Sequence, residues 1–399
     1  MKIKVGNLFR GDKIIWVVFL LLSIISLVEV YSSIGLYAYS FFATKTPTSL
    51  FLRHLLIVGV TYVAIILLSR VNYRYFSRFA MLGYWASLVL LVLMLALNRG
   101  RWFQIPIIGQ FQPSEIAKVV LIIFVARVLT LKKDQVKELG TFLMLLVYIA
   151  LVTALVLPEN FSTAALIFLS CYLMLLFGGV RRSYWWRLFL GIALVGGLAL
   201  FLMVKMPGGD SVEGSGFFHR GGIWAERIDN WLHPDPDKLS QENMAKMAIA
   251  RGGVFGAGIG KTVHARLMTQ SHNDFIYAII IEEMGMVGGL AVFVLYGIFY
   301  FRCIRLAWRC KGRFGALTVA GLGTVIYLQA LVNMSVAVGL LPVTGQTLPF
   351  ISYGGTAYLF LGCALGVIQS VAADVDIQEK NETKPQSEDI EPIVNQQTT

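Results

Sequence analysis

The sequence has few charged residues for its length. Charged residues make up 14% of the 399 residues and hydrophobic residues 57%, against about 25% and about 45–50% in soluble globular proteins. A soluble fold has too little polar surface to cover so many apolar side chains, whereas a bilayer is an apolar solvent for them. The composition therefore excludes a soluble enzyme and predicts an integral membrane protein.

Apolar runs long enough to cross a bilayer, about 20 residues each, recur along the chain. We predict an all-α, polytopic membrane fold with about ten transmembrane helices and one large extracytoplasmic loop at 205–274. The expected division is a cytoplasmic N-terminus at 1–13, a membrane domain at 14–373 and a disordered acidic cytoplasmic tail at 374–399. The predicted spans are 14–36, 51–70, 79–97, 115–131, 141–157, 162–178, 186–204, 275–300, 316–340 and 350–372.

Positive charge is unevenly distributed. The net charge is +11, and the tail holds seven acids and two bases, so removing that net −5 leaves +16 on the membrane body. Short loops on one side of the predicted membrane collect most of the Lys and Arg, which marks that side as cytoplasmic and places both termini inside. The four cysteines fall in spans or on that side, so no external disulfide is expected. The positive charge of the short loops sets the orientation of the helices in the membrane, and we expect no nucleic-acid partner.

The predicted outer loop differs from the other loops in its length and in its basic residues. Loops this long commonly carry function. Residues 241–250 predict a short helix at the membrane surface. The glycine-rich run from Gly253 to Gly260 resembles a nucleotide-binding loop, but Phe255 stands where that motif requires glycine. We therefore expect close backbone packing or amide contacts with an anion instead.

Few acids lie outside the loops and the tail, and intramembrane ionisable residues are functional candidates. Asp274 stands at the outer mouth of the eighth span, where a carboxylate reaches water and lipid headgroups; the alternative is that it caps that helix. Glu115 and Lys118 predict a structural ion pair, with a role in lining a polar cavity as the alternative. Glu282 and Glu283 lie about 12–14 Å deeper than Asp274, which favours helix packing over a proton relay.

Basic and aromatic residues also occur elsewhere on the outer side. Arg99, Arg101 and Trp102 form a turn that suits an interfacial anchor and an anionic lipid headgroup equally well. His264 and His272 show no spacing typical of a zinc site, so we expect surface positions for them. An outer site with excess positive charge, a carboxylate and membrane-embedded walls suits a lipid pyrophosphate, either transported or chemically altered.

Several of these positions belong to motifs of a known family. The motifs are Arg101-Trp102, Gln112-Pro113-Ser114-Glu115 with Lys118, Gly252-Gly253 with Gly256, Gly258 and Gly260, Asp274-Phe275-Ile276 with Glu282-Glu283, and the segment from Gly339 to Gly355. Through them the sequence resembles the SEDS (shape, elongation, division and sporulation) family of peptidoglycan glycosyltransferases, which includes FtsW and RodA. The run from Gly345 to Phe350 is more similar to FtsW.

The resemblance implies an enzyme of the bacterial cytoplasmic membrane that polymerises lipid II at the outer face for septal wall synthesis and releases undecaprenyl pyrophosphate. It implies Asp274 as the catalytic carboxylate. The implied substrate-binding residues are Arg99, Arg101, Trp102, Lys261, Arg266 and Ser352. The implied cavity residues are Glu115, Lys118, Glu282, Glu283, Gly253, Gly258 and Pro349.

No metal ligand is predicted, although a divalent cation such as Mg²⁺ or Mn²⁺ is an alternative aid to the diphosphate leaving group. The implied partners are a class B penicillin-binding protein transpeptidase and divisome proteins. Three alternatives stay open: a lipid II flippase or transporter, an elongation polymerase of the RodA type, and a scaffold whose partner performs all the catalysis. An acid at the outer mouth favours chemistry over transport, because many transporters place their site at mid-bilayer.

Overall fold

The computed structural model describes residues 9–41, 47–97, 103–105, 109–205, 227–233, 240–264 and 274–383. The helices are α1 Lys13–Phe41, α2 Pro47–Arg70, α3 Tyr73–Ala96, α4 Pro113–Leu131, α5 Leu139–Val156, α6 Phe161–Phe177, α7 Arg182–Lys205, α8 Gln241–Gly252, α9 Ile276–Arg309, α10 Arg313–Ala337 and α11 Gly355–Thr383. A further helical turn covers 227–232. Strands β1 Phe103–Ile105 and β2 Gly109–Phe111 form an antiparallel hairpin in which Phe103 pairs with Phe111.

Seven helices in the described part of the chain are long and apolar enough to cross a membrane, which confirms the predicted polytopic helical fold. They are α1, α2, α3, α5, α9, α10 and α11. The other three predicted spans coincide with α4, which carries buried charges, with the shorter α6 and with α7. The number ten stays a prediction.

Local sequence explains several helix starts. Pro113 occupies the first turn of α4, where its missing N–H costs nothing. The side chains of Asn72 and Asn160 accept hydrogen bonds from the backbone amides of Arg74 and Thr163, and so cap α3 and α6. The α6 cap lies beside the outer site described below.

Helix α10 lies at the centre of the bundle, packed against α4, α6, α9 and α11. Its buried face includes three glycines within the helix, and a Cβ on Gly321 would meet the side chains of Met174 and Ile122. This close approach brings polar side chains of α4 and α10 into contact.

Helix α9 is broken at Gly285, whose backbone adopts φ 72° and ψ −175°. Such dihedral angles are favourable only for glycine. The outer part, from Ile276 to the break, is therefore a separate short helix, and the part from Met286 to Arg309 continues through the membrane.

Two predicted elements differ from those observed. Helix α11 continues to Thr383, whereas the sequence prediction begins the disordered tail at 374. Ion pairs from Glu379 to Arg309 and from Glu382 to Lys311 hold this extension against the C-terminal end of α9. Residues 384–399 lie outside the described part. Helix α8 exists where predicted but is not merely superficial, because it buries Met244, Ala245 and Ala248 against α9.

Candidate active site

Asp274 lies immediately outside α9 and is partly exposed. The N-cap position of α9 is occupied by Phe275, whose side chain makes no cap hydrogen bond, and Asp274 lies one residue before it. Asn333 of α10 donates one hydrogen bond to the Asp274 carbonyl oxygen at 2.9 Å and another to the Gln346 carbonyl oxygen at 2.7 Å. A Cβ placed on Gly345 would lie 3.9 Å from Asp274 Oδ2, so the segment after α10 passes beside this carboxylate.

Asp274 lies beyond the end of the membrane-crossing length of two helices. Arg302 of α9 pairs with Asp12, next to the first residue of α1. Twenty residues along α1 from this pair, about 30 Å of straight helix and the thickness of a hydrocarbon core, reach Ser32, whose hydroxyl donates to Glu283. Glu282 of α9 is likewise twenty residues from Arg302, with the break at Gly285 between them. Asp274 precedes Glu282 in the chain and therefore lies outside a span of this length.

A second set of polar contacts, made by side chains of α4 and α10, fixes the segment after α10. Lys118 Nζ donates to Glu115 Oε2 at 2.8 Å and to Gln329 Oε1 at 2.7 Å, with the lysine side chain fully buried. Gln329 Nε2 in turn donates to the Thr347 carbonyl oxygen at 3.0 Å. The Glu115–Lys118 pair thus supports the backbone beside Asp274 through one intermediate side chain.

The same segment is also fixed to α6 and α9. Gln346 Nε2 donates to Thr163 Oγ1 at 2.8 Å, and the Tyr296 hydroxyl donates to the Pro349 carbonyl oxygen. Ser352 Oγ accepts a hydrogen bond from the Leu348 amide at 2.8 Å and is buried. The structure thus gives Ser352 a role in this turn, and its contact with substrate stays a prediction.

Glu282 organises the loop that precedes Asp274. Its fully buried carboxylate accepts hydrogen bonds from Thr262 Oγ1 at 2.5 Å, Arg251 Nη1 at 2.8 Å, the Val263 amide at 3.1 Å and His264 Nδ1 at 2.9 Å. The side chain of His264, for which a surface position was expected, is partly exposed, by 15%, and packs against this carboxylate. Glu282 fixes three consecutive loop residues, Thr262 to His264, at the outer membrane boundary.

The glycine-rich stretch packs its backbone against the break in α9. The amides of Ala257 and Gly258 donate to the Glu282 and Glu283 carbonyl oxygens, and those of Met286 and Val287 donate to the Gly253 and Val254 carbonyl oxygens. A Cβ on Gly256 would lie 2.2 Å from the Glu283 carbonyl oxygen, a distance no side chain can occupy. The glycines therefore serve the close backbone packing expected from the sequence, and φ values of 53° and 103° explain Gly253 and Gly258 themselves.

Cationic side chains surround this outer region. Arg227 Nη1 donates to the Val343 carbonyl oxygen at 3.1 Å, and Lys246 lies against Gly339. Burial raises the pKa of Glu242 in α8, although Lys246 and Arg227 oppose that rise. Lys261 is exposed at the end of the glycine-rich stretch. The predicted residues Arg99, Arg101, Trp102 and Arg266 lie outside the described residues.

Sequence reasoning missed several residues of this site. Gln329 joins the buried lysine to the Thr347 backbone, and Arg251 joins α8 to Glu282. A glutamine in the middle of an apolar span was an available signal, because an amide there requires partners. The position of Arg251 among the other loop cations gave no comparable signal.

These features define a class: a polytopic helical membrane protein with a polar site at its outer face. Over residues 12–376 the chain matches the FtsW/RodA/SpoVE family, described as cell cycle protein, and it belongs to that family.

Curated relatives agree with this assignment. A probable peptidoglycan glycosyltransferase FtsW of Thiomonas intermedia is 32% identical, over 90% of this chain and 88% of the relative. Stage V sporulation protein E of Bacillus subtilis is 28% identical, over 90% and 96%.

Solved structures share the fold. A chain described under "structural coordination of polymerization and crosslinking by a peptidoglycan synthase complex" superposes with a TM-score of 0.71 at 25% identity, over 91% of this chain and 98% of that one. The rod shape determining protein RodA of Thermus thermophilus gives a TM-score of 0.65 at 23% identity, over 91% and 97%.

Proposed function

We propose that this protein is a peptidoglycan glycosyltransferase that polymerises lipid II at the outer face of the bacterial cytoplasmic membrane, for septal wall synthesis. The observation that carries the proposal is the position of Asp274, a partly exposed carboxylate just beyond the outer end of α9, whose backbone carbonyl oxygen accepts a hydrogen bond from Asn333 beside a buried polar network. A lipid-linked diphosphate sugar presents its reacting carbon at the membrane surface. The relatives named as probable FtsW glycosyltransferases support the reaction class.

In the proposed reaction Asp274 acts as general base. Its carboxylate takes the proton from a hydroxyl of the acceptor sugar while that oxygen forms a bond to the anomeric carbon of the donor. The bond from this carbon to the diphosphate oxygen breaks, and undecaprenyl pyrophosphate leaves with the electron pair. General-base assistance of this kind contributes about 10²–10⁴-fold to the rate.

The leaving diphosphate needs positive charge. Lys261 supplies it from the end of the glycine-rich stretch, and we assign Arg99, Arg101 and Arg266 the same role, with Trp102 and Ser352 as further substrate contacts. A divalent cation, Mg²⁺ or Mn²⁺, is an additional source of charge at the diphosphate.

A class B penicillin-binding protein is the proposed partner, with divisome proteins at the septum. The support is the similarity to a chain of a peptidoglycan synthase complex that couples polymerization and crosslinking. The excess of Lys and Arg in the short loops of one side supports a cytoplasmic position for both termini.

The test uses purified full-length protein with labelled lipid II, with and without the partner. We expect Asp274→Asn to reduce the rate of glycan formation by about 10²–10⁴-fold while the protein stays folded. The matched control is Asp229→Asn, an exposed acid of the outer turn 227–232, which should leave the rate unchanged.

Two outcomes would contradict the proposal. Equal chain yield from Asp274→Asn would refute the general base. No chains from well-folded wild type under any partner condition, together with movement of labelled lipid II between leaflets of a vesicle, would favour the flippase alternative.

A further inference from the structure

The glycine-rich stretch exposes large apolar side chains. Phe255 is 85% exposed and Val254 is 56% exposed. A loop in water gains nothing from presenting two neighbouring apolar side chains in this way, and such exposure marks a contact surface. The glycines that flank them are explained by backbone packing, but the apolar side chains are not.

The backbone contacts of this loop give its depth. The Gly253 and Val254 carbonyl oxygens accept hydrogen bonds from the amides of Met286, at 2.9 Å, and Val287, at 3.3 Å. Val287 lies fifteen residues from Arg302, or about 22 Å along a straight helix. With a hydrocarbon core of about 30 Å measured from Arg302, the loop lies about 8 Å inside the outer boundary.

The surface next to the loop is apolar and exposed, as a surface that contacts lipid would be. It includes Met286, Val287 and Leu290 of the membrane-crossing part of α9, Leu290 being 63% exposed. The Val287 amide donates to the Val254 carbonyl oxygen, so the exposed residues Val254 and Phe255 lie next to this surface.

Non-helical backbone at this depth is stable only if the protein satisfies its polar groups. Four backbone groups of the loop meet this condition, since Ala257 and Gly258 donate to the carbonyl oxygens of Glu282 and Glu283 before the break in α9, and Gly253 and Val254 accept from the amides after the break. These internal hydrogen bonds hold the apolar tip against α9.

We propose that residues 253–256 form a loop that dips into the outer leaflet, with Val254 and Phe255 inserted among acyl chains of the membrane lipids. The contact is with lipid rather than with a partner protein, because depth and continuity with the lipid-facing side of α9 both place it there. It concerns membrane anchoring of the outer loop, and it stands independently of the proposed glycosyl transfer.

The test places the environment-sensitive fluorophore NBD at Phe255→Cys in full-length protein in phosphatidylglycerol/phosphatidylcholine nanodiscs. The background carries Cys310→Ala and Cys363→Ala, since the other two cysteines are buried. Two reference sites bracket the result: Leu290→Cys on the lipid face of α9, and His233→Cys, which is exposed on the outer turn. The quenchers are doxyl-labelled lipids in the acyl region and aqueous dithionite.

We expect the label at position 255 to be quenched by the doxyl lipids to at least half the extent seen at position 290. We also expect dithionite to reduce it at least 10-fold more slowly than at position 233. Dithionite reduction as fast as at position 233 would overturn the proposal, and so would protection from both quenchers, which would indicate a protein cover.

A second position, without a fluorophore, tests whether the label itself changes the position of the loop. Val254→Cys without a fluorophore should react with a large membrane-impermeant maleimide at least 10-fold more slowly in nanodiscs than His233→Cys. Equal reaction rates at the two positions would contradict the inserted loop independently of the fluorescence result.

Discussion

The ion pairs of the outer site and those of the contact between the ends of α11 and α9 differ in the burial of their carboxylates. At the outer site the carboxylates of Glu115 and Glu282 are almost fully buried. Glu282 accepts further hydrogen bonds, and Lys118, the partner of Glu115, also donates to Gln329. At the contact between α11 and α9 the side chains of Arg309 and Glu379 are 36% and 48% exposed, and those of Lys311 and Glu382 are more so. The two sets of ion pairs are therefore expected to contribute differently to the stability of the protein.

A buried charge constrains its surroundings because it cannot lose its partner without a large cost, whereas an exposed charge exchanges its partner for water. The buried groups of the outer pairs make further hydrogen bonds to other segments, such as the one from Lys118 to Gln329. These bonds hold the backbone near Asp274 in one arrangement, which preorganises a site for transition-state charge. The pairs between α11 and α9 only attach the end of α11.

The strongest test of this contrast is Lys118→Met. It removes the cation and leaves the Glu115 carboxylate buried without its partner, so we expect a loss of about 3–5 kcal/mol in the free energy of unfolding. Thermal unfolding in nanodiscs measures it. The double variant Glu115→Gln with Lys118→Met should recover most of the loss, because no charge is then buried alone.

Lys132→Met is the matched control, since Lys132 is exposed at the end of α4 and bonds only to the neighbouring Gln135 in the described part of the chain. It should unfold like wild type. A double variant as unstable as Lys118→Met would contradict the argument, because the loss would then come from packing rather than from an isolated charge.

The next effect in size concerns the Glu282 cluster. Thr262→Val keeps the side-chain volume but removes the hydroxyl that donates to Glu282 Oε2, and we expect a cost of about 1–3 kcal/mol. We also expect slower glycan synthesis, because the loop before Asp274 loses a fixed point. Thr262→Ser, which keeps the hydroxyl, should retain both stability and rate.

Thr318→Val serves as the control for a buried isosteric exchange, since Thr318 Oγ1 has no hydrogen-bond partner among the described residues. It should change neither quantity. Identical behaviour of Thr262→Val and Thr262→Ser would show that the hydroxyl is not what fixes the loop.

The sequence predicted what is local and missed what depends on neighbours. Hydrophobic runs locate the helices, and a spacing of three residues pairs Glu115 with Lys118 within one helix. Gln346 and Thr163 lie 183 residues apart and meet only because α6 packs beside α10. The contact of His264 with Glu282 likewise depends on the fold of a whole loop around that carboxylate.

The smallest effect is expected at the contact between the ends of α11 and α9. Arg309→Ala removes the pair with Glu379, but because both side chains are substantially exposed, water and salt already screen them, and we expect no measurable shift in the unfolding temperature. Any shift seen at low salt should vanish at about 1 M, where the Debye length is about 3 Å. The Lys118→Met loss should persist there, since salt does not reach a buried carboxylate. If Arg309→Ala cost as much as Lys118→Met at both salt concentrations, burial would not be what distinguishes these two sets of ion pairs.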